Sequence, residues 1–376
     1  MSVSVQEVLR RIDFLGLRSP THLTLMITDV CNLRCRHCLL DCSPDAQAGH
    51  TAKEPLMEII EGFARMGGKR LMLTGGEPLL HPDWPAILSA ACSREEFAEV
   101  CLQTNAVLLT EPDVKALERL SDGRLFLQVS LEGPTADTND VVRGAGSFQR
   151  IVEGLHRLVE AGLGMNTRLA FTEMRHNFDH LPRMFDLAEE MGLGRIITGT
   201  MVCGGRAAKD NGLAMPTPGQ YRRLLDRYHS DMRFRDAYRE RGNIAAIEWH
   251  KAKSDSAQPG CTCIETPFIS AAGRMYPCVM LLCDEYSVEN VHSRGLEETI
   301  CSALDLWSRL PEIHRRRRAA LESCEGCPGR SHCNGGCMGR AYAAAGDFMS
   351  PEDRCSLRRA VYSYGDNQDS RGHDEL

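Results

Sequence analysis

Three cysteines constrain this chain more than any other feature. Cys31, Cys35 and Cys38 form C-x3-C-x2-C directly after a β-rich run, Leu23–Asp29. Three thiolates this close can converge on one cluster from a single loop. Four would saturate a cubane iron–sulfur cluster, whereas three leave one iron open to an outside ligand. A zinc site would want a fourth protein ligand and paired knuckles, and Cys42 is the nearest candidate for that fourth ligand. The chain holds 17 cysteines in 376 residues. That is too dilute for a small disulfide scaffold, and the odd number excludes complete pairing, so the question becomes what the cysteines bind.

Charge and hydropathy exclude several classes of function. The net charge is −7, so no basic balance points to nucleic acid. The N-terminal run MSVSVQEVLRRIDFLGLRSP lacks the apolar stretch of a signal peptide. No run approaches the roughly 18 apolar residues of a membrane span, so no membrane partner is expected. The last four residues, His373 to Leu376, spell an ER-retention signal, read as coincidence because no entry signal precedes it. Many free thiols suit a reducing cytoplasm. The polar tail from Ser363 is expected to be disordered.

From Leu23 to Val202, short β-rich runs alternate with helical stretches. The expected strands are Leu23–Asp29, Arg70–Thr74, Val100–Thr104, Leu125–Leu131, Thr167–Phe171 and Arg195–Met201. The clearest helix is Phe148–Ala161: Ile151, Leu155, Leu158 and Val159 share a face, Ser147 can N-cap, and Gly162 can sit just past the end. Sixfold strand–helix repetition predicts an α/β fold, a partial (β/α)6 TIM-like barrel, with its chemistry at the C-terminal ends of the strands. The expected organisation is an N-terminal extension (1–20), the barrel core (21–215), a charged helical bridge (216–254), a small cysteine-rich, loop-rich domain (255–360) and a tail (361–376). Such a small domain has little core of its own and needs staples.

Five features of the barrel region, in order along residues 20–205, resemble the radical S-adenosylmethionine (SAM) enzymes. The cysteine triplet follows strand one, with an aromatic ring, His37, before its third cysteine. Gly75-Gly76-Glu77-Pro78 ends strand two, Gln103-Thr104-Asn105 strand three, and Ser130-Leu131-Glu132-Gly133 strand four. Asp140 to Gly144 follows. The resemblance implies a [4Fe–4S] cluster that binds SAM through its open iron and splits it reductively into methionine and a 5′-deoxyadenosyl radical. Gly75 and Gly76 would allow close backbone approach and positive φ. Backbone carbonyls there and Glu77 would accept from the SAM ammonium. Ser130 and Glu132 would lie at the ribose or sulfonium side. Arg143 would take the SAM carboxylate in a bidentate pair, and Asn105 would position substrate or cofactor.

A second group, Cys261, Cys263, Cys278, Cys324, Cys327, Cys333, Cys337 and Cys355, contains G-x4-C (Gly273 to Cys278, on an expected hairpin turning at Ala271-Ala272-Gly273) and C-x2-C-x5-C-x3-C. It is similar to the SPASM domain of radical SAM maturases. Eight thiolates suffice for two four-iron clusters, and two structural zinc ions are the alternative. The resemblance implies interleaved wiring: Cys261, Cys263, Cys278 and Cys337 for one auxiliary [4Fe–4S] cluster, and Cys324, Cys327, Cys333 and Cys355 for the other. Cys261-x-Cys263 is closer spaced than the family usually shows, which raises the possibility of a non-ligating cysteine. The remaining cysteines, Cys42, Cys92, Cys101, Cys203, Cys283 and Cys301, read mostly as apolar filler, with Cys203 placed near where substrate should lie.

The family implies an oxidoreductase acting on a ribosomally made peptide by crosslinking, oxidation or related maturation. The alternatives are a tetrapyrrole side-chain modifier, another small-molecule enzyme, or a non-catalytic iron–sulfur electron carrier. Sulfatase maturases carry an Asp directly after the cysteine of G-x4-C; Val279 stands here and argues against that activity. A ferredoxin, flavodoxin or other reductase would supply electrons. With only about 20 residues before strand one, leader recognition of a peptide substrate would fall to a separate leader-binding protein or to another surface of this chain. The run His314 to Arg318 could dock an acidic leader or electron donor, or be a solvated helix face.

Overall fold

The structure, a computed structural model, describes residues 3–254 and 261–365. The end of the expected tail, including the four-residue ER-type signal, lies outside the described residues. Six parallel strands form the centre: β1 (His22–Thr28), β2 (Arg70–Gly75), β3 (Glu99–Thr104), β4 (Leu125–Ser130), β5 (Thr167–Glu173) and β6 (Arg195–Thr200). They lie side by side in chain order, the adjacency usual for consecutive elements. The expected partial barrel is therefore the observed one, with strand ends within two residues.

Three further strands extend the sheet. β7 (Gly242–Asn243) pairs parallel with β6. At the other edge β8 (Phe268–Ile269) pairs parallel with β1, and β9 (Met275–Tyr276) closes a hairpin on β8. The cysteine-rich region is thus hydrogen-bonded into the barrel sheet through the hairpin that carries Cys278. Gly273, at φ +75, makes its turn.

Strand residues alternate between two faces. Leu23, Leu25 and Ile27 of β1 join the main core, whereas Met26 joins a smaller apolar group with Cys31, Leu33, Cys42, Phe268 and Ala271. The helix Lys53–Arg65 buries Leu56, Ile59, Ile60 and Phe63 at helical spacing. Its first turn has no side-chain cap. Burial worth roughly 1.5–3 kcal/mol per large side chain outweighs the ~1 kcal/mol of a cap.

The helix expected at Phe148–Ala161 runs Ser147–Glu160, and its cap differs from expectation. Gly146, at φ +72, is the N-cap and Ser147 is the first helical residue. The Ser147 hydroxyl is engaged elsewhere, donating to Asp140 Oδ1 and accepting from Asn139. Gly162 does close the C-terminus: its N–H donates to Val159 O and that of Leu163 to Leu158 O, a Schellman motif.

The N-terminal segment forms a helix, Val5–Phe14, that packs against Leu296–Trp307, where Arg11 pairs with Asp305 at 2.6 Å. The run at 314–318 lies in the helix Leu310–Ala320 and is not one exposed face. Arg317 is fully buried and donates to Ser350 O and Gly335 O, so it is spent on internal carbonyls and is withdrawn from any docking surface. Among the described residues no helix is long and apolar enough to cross a membrane.

Candidate active site

Parallel strands present all their C-terminal ends on one side, and the loops leaving β1 to β6 meet there. The loop after β1 carries the triplet. Cys31 is buried, and Cys35 and Cys38 are half-buried. Gly76 N–H donates to Thr28 O (2.8 Å) and Glu77 N–H to Val30 O (2.9 Å), zipping the β2 end to this loop. Neither Gly75 nor Gly76 has positive φ, contrary to expectation. Glycine is required for closeness instead. A Cβ on Gly75 would lie 2.4 Å from Thr28 O, and one on Gly76 2.3 Å from Val30 O.

Glu77 has structural partners of its own. It is fully buried. Its carboxylate accepts from Leu79 N, Thr104 Oγ1 and Asn105 N at 3.1, 2.7 and 2.7 Å. These bonds fix the short 3-10 turn Pro78–Leu80 and the end of β3. Asn105 donates to Asn32 Oδ1 at 2.8 Å and reaches toward Cys31 Sγ.

Glu132 and Arg143 form a fully buried pair, 2.6 Å apart. The carboxylate also accepts from Thr172 N and faces His37 Nε2 at 3.2 Å. Burial pushes its carboxyl up, but Arg143 and His37 outweigh this and hold it at about 2. Arg143 contacts Cys35 Sγ at 3.8 Å. Ser130, half-buried at the end of β4, pairs in register with Ala170.

Composition gave no sign of a clamp from the loop after β6. Arg206 donates to Cys35 O and Cys42 O, both at 2.7 Å, and its own N–H to Cys38 O at 2.9 Å. Gly205 lies so near that a Cβ would meet Leu39 O at 2.2 Å. Arg36 is locked bidentately to Asp210. Cys42 is buried and hydrogen-bonds the Cys38 sulfur, which draws the Cys38 thiol down. Burial pushes Cys31 up to about 12. A thiol of that kind must shed a proton to take a metal.

The triplet fits a cluster. Two buried nitrogens beside it, His37 Nδ1 and Arg143 Nε, have no hydrogen-bond partner within the protein. The eight C-terminal thiols fall into two sets. Cys261, Cys263, Cys278 and Cys337 lie within electrostatic reach of one another. Cys324, Cys327, Cys333 and Cys355 line one cavity with Arg358 and Glu352. Glu352 joins the sets, accepting from Cys337 N at 3.0 Å and pairing with Arg354 and Arg358. Among the described residues no three His, Cys, Asp or Glu side chains close on a point that a single metal ion would fill. All 17 cysteines are free. Cys92, Cys101, Cys283 and Cys301 are buried filler, and Cys203 packs with Met201, Val142 and Met174.

A second cavity of about 300 Å³ opens between the triplet loop and the β8–β9 hairpin. Met26, Leu39, Phe268, Tyr276 and Leu282 line it, with Asp29 and Asp41.

Comparison with known proteins agrees with this geometry. Residues 25–188 match the radical SAM superfamily. The mycofactocin maturase MftC of Mycobacterium ulcerans is 28% identical over 372 residues, covering 97% of this chain and 94% of that protein. The AdoMet-dependent heme synthase of Methanosarcina barkeri is 26% identical, covering 90% and 97%. Among solved structures, native anSMEcpe with bound AdoMet superposes with a TM-score of 0.71 at 16% identity, covering 92% of this chain and 97% of that one. Streptococcus suis SuiB bound to precursor peptide SuiA gives 0.73 at 15%, covering 93% and 79%.

Proposed function

We infer, for a chain whose residues 25–188 match the radical SAM superfamily, an oxidoreductase that modifies a ribosomally made peptide. The observation that carries this reading is the convergence of Cys31, Cys35 and Cys38 with Asn105, Arg143 and His37 at the C-terminal ends of parallel strands. When bound, the four-iron cluster and SAM supply one-electron cleavage to methionine and a 5′-deoxyadenosyl radical, which takes a hydrogen atom from the substrate.

The chain's own residues hold and screen that chemistry. Cys31, Cys35 and Cys38 would hold three irons. Arg206 and Arg36 fix the loop, and the Glu132–Arg143 pair places a buried cation beside Cys35. Carbonyls of the Gly75–Gly76 segment would accept from an ammonium. Arg143 Nε, buried and unpartnered, would donate to a carboxylate. The two C-terminal sets would hold auxiliary clusters, drawing on metal binding as folding energy. A ferredoxin or flavodoxin would deliver electrons, in a compartment reducing enough to keep the thiols free.

A peptide is favoured over a macrocycle by the names of MftC, a maturase, and of SuiB with its precursor peptide. The test is to incubate the reduced protein anaerobically with SAM and, separately, with short peptides encoded beside its gene or with an iron porphyrin. The expected result is a mass change in a peptide that is lost in Cys35→Ala. A change confined to the porphyrin would replace the reading with the tetrapyrrole one.

A further inference from the structure

The cavity between the triplet loop and the β8–β9 hairpin combines apolar walls with one carboxylate that the fold leaves unsatisfied. Met26, Leu39, Phe268 and Leu282 form the walls, with Tyr276, which stands opposite Phe268 in the hairpin register. Two carboxylates reach the cavity, Asp29 and Asp41. Asp41 is neutralised, with Arg206 at 3.1 Å and Lys209 at 2.9 Å.

Asp29 is not. Its backbone N–H donates to Gly49 O at 3.2 Å, and its Oδ2 accepts from Ala48 N at 2.9 Å, so the side chain is held in place. Its Oδ1 is buried and has no hydrogen-bond partner within the protein. Among the described residues no Lys, Arg or His forms an ion pair with it. A buried oxygen left without a donor costs about 1–3 kcal/mol, and more when it is charged. A ligand that brings a donor removes that cost.

The walls narrow the choice of ligand. A hard metal ion takes six or more oxygens, and these walls are largely hydrocarbon. A neutral donor would leave the charge uncompensated. An ammonium on an aliphatic stem matches both parts of the cavity, its stem against the apolar side chains and its head on Oδ1. A guanidinium binds best across both oxygens of one carboxylate, and Oδ2 is already engaged by Ala48. Lysine therefore fits better than arginine.

Resting on the peptide reading above, we propose that this cavity is a recognition pocket for a lysine side chain of the substrate peptide, with Asp29 receiving its ammonium. Asp29 stands two residues before Cys31, Leu39 directly follows Cys38, and Tyr276 stands two residues before Cys278. A lysine seated there anchors the peptide between the triplet loop and the hairpin of the cysteine-rich region.

The test uses the full chain as the anaerobic holoprotein. Isothermal titration reads its affinity for capped glycine peptides that differ only in a central lysine, norleucine or arginine. The lysine peptide is expected to bind about tenfold more tightly than the norleucine one, the worth of one charge-assisted hydrogen bond, and more tightly than the arginine one. Asp29→Asn, which can still accept from Ala48, is expected to keep the iron and lose the preference. If that variant does not fold, Leu282→Trp, which fills the cavity from another wall, is expected to lose it instead. Equal binding of the lysine and norleucine peptides, tighter binding of the arginine one, or a preference that survives both variants overturns the inference. A chain that modifies peptides with no preference for lysine overturns this inference and leaves the peptide reading standing. Lysine-selective binding by a chain that modifies only the porphyrin overturns the peptide reading, and with it the assignment of this pocket to the substrate.

Discussion

Arg340 Nη2 lies 2.7 Å from the carbonyl oxygen of Met201. Arg340 follows Cys337 by three residues, and Met201 follows β6, so this bond ties the cysteine-rich region to the mouth of the barrel. The same guanidinium is buried, reaches Thr200 O and pairs bidentately with the mostly covered Asp353. Removing the arginine leaves the Asp353 carboxylate without its ion-pair partner in that partly buried setting. Arg340→Met should therefore cost about 3–5 kcal/mol. Thermal unfolding of the holoprotein checks this, and Arg340→Met with Asp353→Leu should be less damaging than the single change.

Arg206 fixes the triplet loop through Cys35 O and Cys42 O. Arg206→Met strands two carbonyls at about 1–3 kcal/mol each. The expected outcome is selective: roughly a third of the iron is lost, with both auxiliary clusters retained, as three four-iron clusters would dictate. Iron and sulfide analysis reads it directly.

Gly76→Ala places a Cβ 2.3 Å from Val30 O. Backbone must shift at the strand end proposed to face SAM, and displacements near 1 Å at a reacting centre cost on the order of a hundredfold in rate. SAM cleavage should fall by that order while iron content holds. Gly219→Ala, where a Cβ would come no nearer than 3.7 Å to a neighbouring atom and the backbone has no positive φ, is the control for rate.

Acid should weaken the cysteine-rich region through Glu352. Burial pushes its carboxyl up, but Arg354 and Arg358 outweigh this and hold it at about 2. A folded pKa below the unfolded one, near 4.5, contributes stability that is present above about pH 4.5 and lost as pH falls toward 2. The full linkage is at most ~3 kcal/mol. Melting temperature against pH should slope between about pH 5 and 3 in the native protein and flatten in Glu352→Gln.

Much of this architecture was legible because its signals are local. Six strands announced themselves by β-rich runs between amphipathic helices, and the triplet's position after the first strand put it at a strand end. What escaped notice depends on contacts between distant segments. Nothing in Phe268–Ile269 says that it will pair with β1. Nothing in the sequence separates Arg317, buried on carbonyls, from its charged neighbours, because burial of a charge depends on partners supplied by the fold. Glu77 sits in a motif that suggested a ligand contact, and nothing local shows that its oxygens also accept from Thr104 and Asn105 at the end of the next strand. Gly75 and Gly76 were rightly singled out for closeness, but the neighbour that demands it is the chain leaving β1, and it imposes no positive φ.

The most direct measurement is the release of 5′-deoxyadenosine from SAM by the anaerobically reconstituted, reduced protein. The account predicts release by the native chain and none from Cys35→Ala, which should keep roughly two-thirds of the iron. A native chain with its full complement of iron and sulfide that releases no 5′-deoxyadenosine would contradict it.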